Sequence, residues 1–560
     1  MTVVTASVER ESQASPVRRV LRIGLLLDSL VVPAWKKRLL EEVIRSPWAE
    51  MVLVVLNAAD PTGPAAPPRQ RFLYRAYSAL DRRLFRGRPD AFAPTDLRPL
   101  LEGVQQLCVT PRRTRFSDYF PEPVLEELRA LDLDVLIRLG FRILRGELLA
   151  TPRFGVWSIH HGDNRVNRGG PPGFWETVGD WPLTGSVVQI LSEDLDNGRV
   201  LARSWTTTDS LSVQRNKNVL YWNTAYLLPR CLEKVARTGS LEETAESEPG
   251  GYDGPLYQAP DDRAMLPILL HQGMKLARHG FRKTFFRNQW FLLYHFGKFP
   301  LSFRSFRKLV PPPDRFWADP FVVHRDGRHY IFFEEYRFEA KKGHISLLEI
   351  DPQGGATAPI RVIEEPFHLS YPFLFAHAGQ YYMLPEAAQG QDLTLYVCRE
   401  FPHSWSRHST LIRGLEARDP TLHFHQGRWW LFVNLAPGPG GSPDSELHLF
   451  SSETLAGGRW VPHPKNPVIT DASRARPAGR IFWKDGQAYR PSQNCSHRYG
   501  YGFNLSRIDV LDEQDYSETL VSRVEPRWDS ELTRTHTFNF DGGLFVIDGC
   551  RYSRKPAGKP

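Results

Sequence analysis

Two regimes of hydrophobic patterning divide the chain. Up to about residue 240, short apolar runs alternate with stretches in which apolar residues recur every three to four positions. The run from Val20 to Asp28 is almost continuously apolar, as expected of a strand buried on both faces. Further strands are predicted at Met51 to Leu56, Val104 to Thr110, Asp134 to Gly140, Phe154 to Ile159 and Thr184 to Leu191. Helical spacing is found from Pro33 to Arg45, Pro123 to Leu131 and Ser212 to Arg237, with a short helix opening at Phe174-Trp175-Glu176. Strands and helices alternating at these lengths predict an α/β domain with a parallel, doubly wound sheet. Arg71 to Phe85 is an exposed basic helix inserted between strands, and Asp60 to Pro68 a Pro-rich connection.

Beyond Ala264 the period changes. A Pro-led strand is followed by a turn with Gly and then an aromatic-rich strand. The copies are Asp319-Pro320-Phe321 with Gly327, Tyr371-Pro372-Phe373 with Gly379, and Asp419-Pro420-Thr421 with Gly427. Weaker copies begin at Arg476-Pro477 and His536-Thr537-Phe538. A repeat of roughly 50 to 60 residues is blade size, so five copies predict an all-β, five-bladed propeller. The strand Gln289 to His295 would complete the last blade. The predicted organisation is a disordered leader over 1–18, the α/β domain over 19–240, an acidic and then Gly/Pro-rich linker over 241–263, and the propeller over 264–560.

Composition narrows the function classes. Apolar residues at 41% and charges at 24% describe a globular protein. The net charge of +8 comes without a dense Lys/Arg run, which argues against nucleic acid and suits an anionic small molecule. The five cysteines form no CxxC pair, so neither a metal site nor a disulfide framework is expected, and a cytoplasmic location is the simplest. No apolar run is long enough to span a bilayer. The absence of GxGxxG after the first strand disfavours a dinucleotide cofactor.

Candidate chemistry concentrates after the strand at 154–159. His160-His161-Gly162-Asp163-Asn164-Arg165 follows it directly, at the carboxyl end where open α/β sheets place ligands. A Gly/Pro-rich loop, Arg168-Gly169-Gly170-Pro171-Pro172-Gly173, comes next, and the acidic turn Ser192 to Val200 closes the following strand. His and Asp from two strand ends could thus converge on one pocket. Asp163, Arg168 and Glu176 are the candidate substrate-binding residues.

This stretch resembles the formyltransferases that use 10-formyltetrahydrofolate. Their pattern is a strand, Asn-x-His, a Pro-containing loop with Arg-Gly, a helix, Thr-Gly, and Asp-x-Gly. Here Ser158-Ile159-His160, Arg168-Gly169, Thr184-Gly185 and Asp196-Asn197-Gly198 stand in that order. The resemblance implies a Rossmann-like formyltransferase sheet, 10-formyltetrahydrofolate as cofactor, and a small or glycosylated amine as acceptor. It further implies that His160 polarises the formyl oxygen and moves protons, with Asp196 orienting it. The family's catalytic Asn is replaced by Ser158, so His161 or a loop amide would have to share its work. A different transfer in the same pocket, or an inactive remnant, is the alternative. The loop holding Gly140, Phe141, Ile143 and Leu144 would cradle the pterin by resemblance; on residues alone it is equally an ordinary strand-to-helix turn.

The repeat half resembles the five-bladed arabinanase and invertase-like glycoside hydrolases. Through Phe316-Trp317-Ala318-Asp319-Pro320-Phe321 and Phe332-Phe333-Glu334-Glu335 it is also similar to the N-terminal domain of plant glucosamine inositolphosphorylceramide transferases. Asp319, Asp419, Glu386 and His536 should meet at one mouth of the channel. Two flanking carboxylates are what glycoside hydrolysis needs. The same residues equally suit carbohydrate binding without hydrolysis, or pinning of blades through Arg315 or Arg418. The expected function is formyl transfer to an amine on a sugar or glycosylated acceptor, the alternative a glycoside hydrolase or glycan-binding protein with a degenerate first domain.

Overall fold

The computed structural model describes residues 19–59, 71–194, 197–241, 255–300, 302–387 and 392–556. The predicted leader, the connection at 60–68, most of the linker and Asp196 lie outside the described residues. The chain divides into two compact units: residues 19–276 together with 437–442, and residues 277–436 together with 443–556.

In the first unit, seven strands form one sheet: β1 (Leu21–Leu27), β2 (Ala49–Asn57), β3 (Gln105–Val109), β4 (Val135–Arg138), β5 (Val156–His160), β6 (Leu183–Ile190) and β7 (Arg199–Thr207), in the order β7-β6-β5-β4-β1-β2-β3. Strands β3, β2, β1, β4 and β5 run parallel, as the alternation predicts. Strands β6 and β7 are antiparallel to their neighbours, so the sheet is mixed. Length accounts for the β6–β7 pair: a parallel return needs a crossover of about a dozen residues or more, and only residues 191–198 separate the two strands.

Helices α1 (Ala34–Ile44), α2 (Phe72–Leu84), α3 (Glu122–Ala130), α4 (Phe174–Val178), α5 (Val213–Thr238) and α6 (Asp262–Phe285) complete the order. One sheet face, with Ile23, Leu25, Ile137, Trp157 and Val188, buries Leu39 and Leu40 of α1 and Leu228 and Leu232 of α5. The other, with Leu26, Val55, Leu136 and Val156, packs Leu125 and Leu128 of α3. Burying each such side chain is worth roughly 1.5–3 kcal/mol. The Ser212 hydroxyl caps α5 by accepting from the Arg215 amide at 3.2 Å, and Gly239, at φ +72°, ends the helix. Helix α6 occupies the start of the region assigned to the repeat; Pro267, Gly273 and Gly280 interrupt its apolar spacing and hide it in the sequence. Leu256–Tyr257, within the predicted linker, instead pairs with Arg168–Gly169.

The second unit is built from five four-stranded antiparallel sheets. The first begins with Arg315–Arg325, the second with Ser370–His377, the third with Arg418–His425 and the fourth with Phe482–Lys484. In the fifth, Phe286–Phe296 pairs along its length with Leu544–Arg554, so the earliest strand of the unit joins the latest.

Gly140 fixes how closely the strand ends approach. A Cβ there would lie 2.5 Å from the Asp28 amide nitrogen and 2.6 Å from the Leu27 carbonyl carbon, both main-chain atoms with little freedom to yield. Gly140→Ala is expected to cost about 1–3 kcal/mol in denaturant unfolding, whereas Gly103→Ala, where a Cβ meets nothing within 4 Å but φ is +80°, should cost about 1 kcal/mol through backbone strain alone.

Candidate functional site

Strand β5 alternates, and the alternation separates structure from chemistry. Trp157 and Ile159 enter the core under α1 and α5, which turns Ser158 and His160 to the opposite face. The His160 Nε2 lies 3.1 Å from the main-chain oxygen of Asn167. A carbonyl only accepts, so Nε2 carries the proton and Nδ1 is the ring atom able to take one up. Gly162 lets the loop fold over the ring, since a Cβ there would stand 2.9 Å from Nε2 and 3.0 Å from that carbonyl oxygen. The Asn167 amide nitrogen donates to Glu176 Oε1 at 2.9 Å, tying α4 to the same loop. Burial raises the pKa of Glu176 above the ordinary carboxyl range, against the pull of hydrogen bonds from its own backbone and from Asn167. Asn167 Oδ1 and Glu176 Oε2 are buried without hydrogen-bond partners.

His161 takes a different place. Its ring stacks on Tyr221 of α5 at 3.7 Å, meets Trp35 of α1 edge-on, and lies 3.3 Å from the Thr224 hydroxyl. Burial, then the proximity of His160, Lys217 and Lys36, holds its pKa well below the usual histidine value. Asp163 is equally committed: its carboxylate accepts from Arg203 Nη1 at 3.1 Å, from Trp205 Nε1 at 2.9 Å and from the Arg165 amide at 3.1 Å. Gly185 allows this approach, a Cβ there falling 2.7 Å from that of Asp163. Arg168 lies in the short ladder with Leu256, and Asp196 falls outside the described residues.

Ser158 is buried, and its hydroxyl accepts from Arg138 Nη1 at 3.1 Å. Arg138, on β4, also donates to the carbonyls of Phe141 and Arg142. The Phe141 amide, at φ +63°, donates to Asp28 at 2.8 Å, and the Arg142 amide to Asp118 at 3.0 Å. The Lys36 ammonium meets the Leu139 carbonyl. Phe141 and Leu144 are core residues, and Ile143–Leu144 pairs with Ser117–Asp118. The loop of Gly140, Phe141, Ile143 and Leu144 is therefore rigid, with these peptide groups engaged inside the protein. Paired with Ser158 on β6 is Gln189, 3% exposed, whose Oε1 has no hydrogen-bond partner. Sequence reasoning passed over Arg138, Asn167 and Gln189. For Arg138 the signal was present, a charge inside the apolar run Val135-Leu136-Ile137.

In the second unit the expected channel residues come together. Asp319, Tyr371 and Asp419 occupy equivalent positions in three successive sheets, each before a proline and each at positive φ (+53°, +44° and +49°). The strand register shifts at each of them. Every one turns its amide to a carboxylate: Asp319 to Asp548 at 3.2 Å, Tyr371 to Asp319 at 3.2 Å, and Asp419 to Glu386 at 2.9 Å. Buried Arg476 pairs with Asp419 and reaches Asp444 at 3.0 Å and Glu386 at 3.5 Å. His536 bridges Asp548, 2.5 Å from Nδ1, and Asp319, 3.4 Å from Nε2, under the ring of Trp290. Burial opposes charge on His536, but the two carboxylates outweigh it and its pKa is raised. These three could hold a cation only by displacing that proton. Glu334, which the sequence reading did not select, lies 3.4 Å from His368 Nε2; burial, then Asp319, Glu386, Asp548 and Asp419, push its pKa well above the usual range.

Comparison with known proteins divides at the same place. The family model for the N-terminal part of glucosamine inositolphosphorylceramide transferase 1 matches residues 306–533. The enzyme of that name from Arabidopsis thaliana is 34% identical over 213 residues, covering 37% of this chain and 28% of the relative's own length. Methionyl-tRNA formyltransferase from Caulobacter sp. (strain K31) is 30% identical over 167 residues, 30% of this chain and 52% of that protein. Among solved structures, glycinamide ribonucleotide transformylase 1 from Symbiobacterium toebii is 17% identical, covering 39% of this chain and 88% of its own, at a TM-score of 0.27. The chain thus joins a formyltransferase-like N-terminal part to a β-rich part resembling that of the plant transferases.

The state of His161 is testable. Its folded pKa is depressed, so below about pH 6.5 the unfolded chain binds a proton that the folded chain refuses, and stability falls with pH. Between pH 7.5 and 5.5 the protein should lose roughly 1 kcal/mol more unfolding free energy than His161→Phe, which keeps a ring against Tyr221.

Proposed function

We propose that the first unit transfers a formyl group to an amine carried on a sugar or glycosylated acceptor, with 10-formyltetrahydrofolate as donor. The observation that carries this reading is the fixed proton on His160 Nε2, which leaves Nδ1 as the base at the carboxyl end of β5. When bound, 10-formyltetrahydrofolate supplies the formyl carbon. The buried acceptors Gln189 Oε1 and Asn167 Oδ1 lack N–H donors, which a pterin and an amine both provide. His160 takes the proton lost by the acceptor ammonium as the new C–N bond forms, and returns it to the leaving nitrogen as the old C–N bond breaks. By the family resemblance, Asp196 would stabilise the imidazolium between these events. Ser158, accepting from a guanidinium, has its own hydroxyl proton left to donate to the oxyanion; Arg138 thereby compensates for the shorter side chain. Glu176 holds the loop that positions His160.

For the second unit we infer a five-bladed propeller that recognises the glycan part of the acceptor. Hydrogen bonds pass from the fifth sheet to the first through Asp548, and from the first to the second through Asp319. They continue to the third through Glu386, to the fourth through Arg476, and back to the fifth through the Phe538 amide on the Ala478 carbonyl. The plant relatives are named for glucosamine, an amino sugar, which fits both an amine acceptor and an acidic channel. No described helix is long and apolar enough to cross a membrane, and all five cysteines are free, as a reducing cytoplasm would keep them. A second reading rests on Glu334: a carboxyl held protonated among Asp319, Asp419 and Glu386 has the makings of a glycosidase acid.

His160→Ala should lower formyl transfer to amino-sugar acceptors by about 10² to 10⁴, while a stable folate analogue should still raise its thermal midpoint. Unchanged turnover would remove His160 from the mechanism. Release of aryl furanosides, abolished in Asp319→Asn, would favour the second reading.

A further inference from the structure

Neighbouring hairpin tips of the third and fourth sheets line a cavity of about 200 Å³ that none of the chemistry above uses. Its residues all belong to the second unit. A rise of about 3.3 Å per residue puts His425 roughly 20 Å beyond Asp419 on the strand Arg418–His425, so the cavity lies at the far end of that strand from the carboxylate cluster.

His423 and His425, two apart on this strand, share a face, and Trp483 comes from the first strand of the fourth sheet. The three ring centroids form a near-equilateral triangle with sides of 5.9, 5.9 and 6.4 Å, the rings inclined to one another by only 18° to 34°. Two van der Waals separations need roughly 7 Å, so no ring slips between them and a ligand must lie against the group as a surface. Trp483 is 54% exposed, an aromatic face left to water. Ala488, Ile508 and Leu511 supply an apolar wall.

Around the rings stand groups that bond hydroxyls. His423 Nε2 is buried without a hydrogen-bond partner. Burial, then His425, push the pKa of that ring down to about 4, so near pH 7 it is neutral, with one nitrogen that donates and one that accepts. Asp509 is aimed by two donors, Arg507 Nε and the Thr519 hydroxyl, each at 2.6 Å, and a carboxylate has lone pairs beyond those two. The exposed Gln487 adds an amide that both donates and accepts.

An apolar face beside a rim of donors and acceptors is the complement of a sugar ring: a pyranose with equatorial hydroxyls shows C–H groups on its flat side and hydroxyls along its edge. Two other ligands fit less well. A metal ion needs at least three donors close together, and among the described residues the trio of His and carboxylate groups that meets this lies at Asp319, His536 and Asp548. A nucleotide needs a cation for its phosphates, whereas Arg507 is committed to Asp509 and Lys484 lies over the Phe299 ring at 4.6 Å. At about 200 Å³, below the roughly 300–1,000 Å³ of sites for drug-sized ligands, the cavity has room for one ring.

We propose that this cavity binds a neutral pyranose of the β-glucose type, with Trp483, His423 and His425 against its C–H face and Asp509 and Gln487 on its hydroxyls. The site stands apart from the formyl-transfer reading, because binding here involves neither His160 nor the carboxylates around Asp319.

The test follows the Trp483 indole N–H in nitrogen-15 spectra of the tryptophan-labelled full chain, assigned with Trp483→Phe, during titration with methyl β-D-glucoside. The Trp483 resonance should move and saturate at millimolar sugar. In calorimetry, Trp483→Ala should weaken binding at least about 10-fold, and Trp483→Phe, which keeps a flat ring, by no more than about 3-fold. A Trp483 resonance that the sugar leaves in place, or equal binding by Trp483→Ala, overturns the proposal. So does adenosine binding more tightly than the glucoside with the same dependence on Trp483, which would assign the rings to a base. Zinc binding that His423→Phe abolishes would likewise overturn it, assigning the imidazoles to a metal.

Discussion

A ring nitrogen held against a main-chain carbonyl is the contact on which the proposed chemistry of the first unit depends. With Nε2 of His160 facing the Asn167 oxygen, the proton on that side is fixed by the fold and not by the solvent. The contact needs a glycine at 162, a loop folded back by Asn167 and Glu176, and β5 ending where the parallel strands end. Those requirements link the sheet topology to the proposed chemistry. The neighbouring His161, one residue on, faces the other side of the sheet and is absorbed by aromatic packing. Two adjacent histidines therefore sit in opposite settings: one is held by a main-chain carbonyl at the end of β5, and burial among aromatic rings lowers the pKa of the other.

In the second unit the governing problem is charge without water. Asp319, Glu334, Glu386, Asp419 and Asp548 are buried together, and two cations, Arg476 and protonated His536, offset part of their charge. Burial and the neighbouring carboxylates push the pKa of Glu334 well above the usual carboxyl range. Positive φ before proline at Asp319, Tyr371 and Asp419 costs of order 1–3 kcal/mol at each position. The amides thereby turned toward carboxylates of neighbouring sheets recover part of it through charge-assisted hydrogen bonds.

Much of this was legible in the residues. Near-continuous apolar runs gave the parallel strands because burial on both faces leaves no room for alternation, and the Pro-led repeats marked each first strand of the second unit. The antiparallel edge was not legible, since β7 buries Arg203, Ser204 and Thr206 among its apolar residues and so lacks a clean strand pattern. Helix α6 was hidden by its own Pro and Gly residues. At the site, His160 stood out by position, but its carbonyl partner could not, because a main-chain oxygen leaves no trace in sequence. Glu334 was passed over for the same kind of reason: its protonation depends on carboxylates brought close by folding, from positions up to 214 residues away (Asp548). Asp163, expected as a ligand group, pairs with a buried arginine that the sequence did not point to.

The most direct test of the account is the protonation of His160 itself, read by nitrogen-15 NMR of histidine-labelled protein with a His160→Gln variant for assignment. In its neutral form the ring should be the tautomer that carries its proton on Nε2 and none on Nδ1. A proton on Nδ1, with Nε2 unprotonated, would contradict the hydrogen bond to Asn167 and with it the base that the proposed transfer requires.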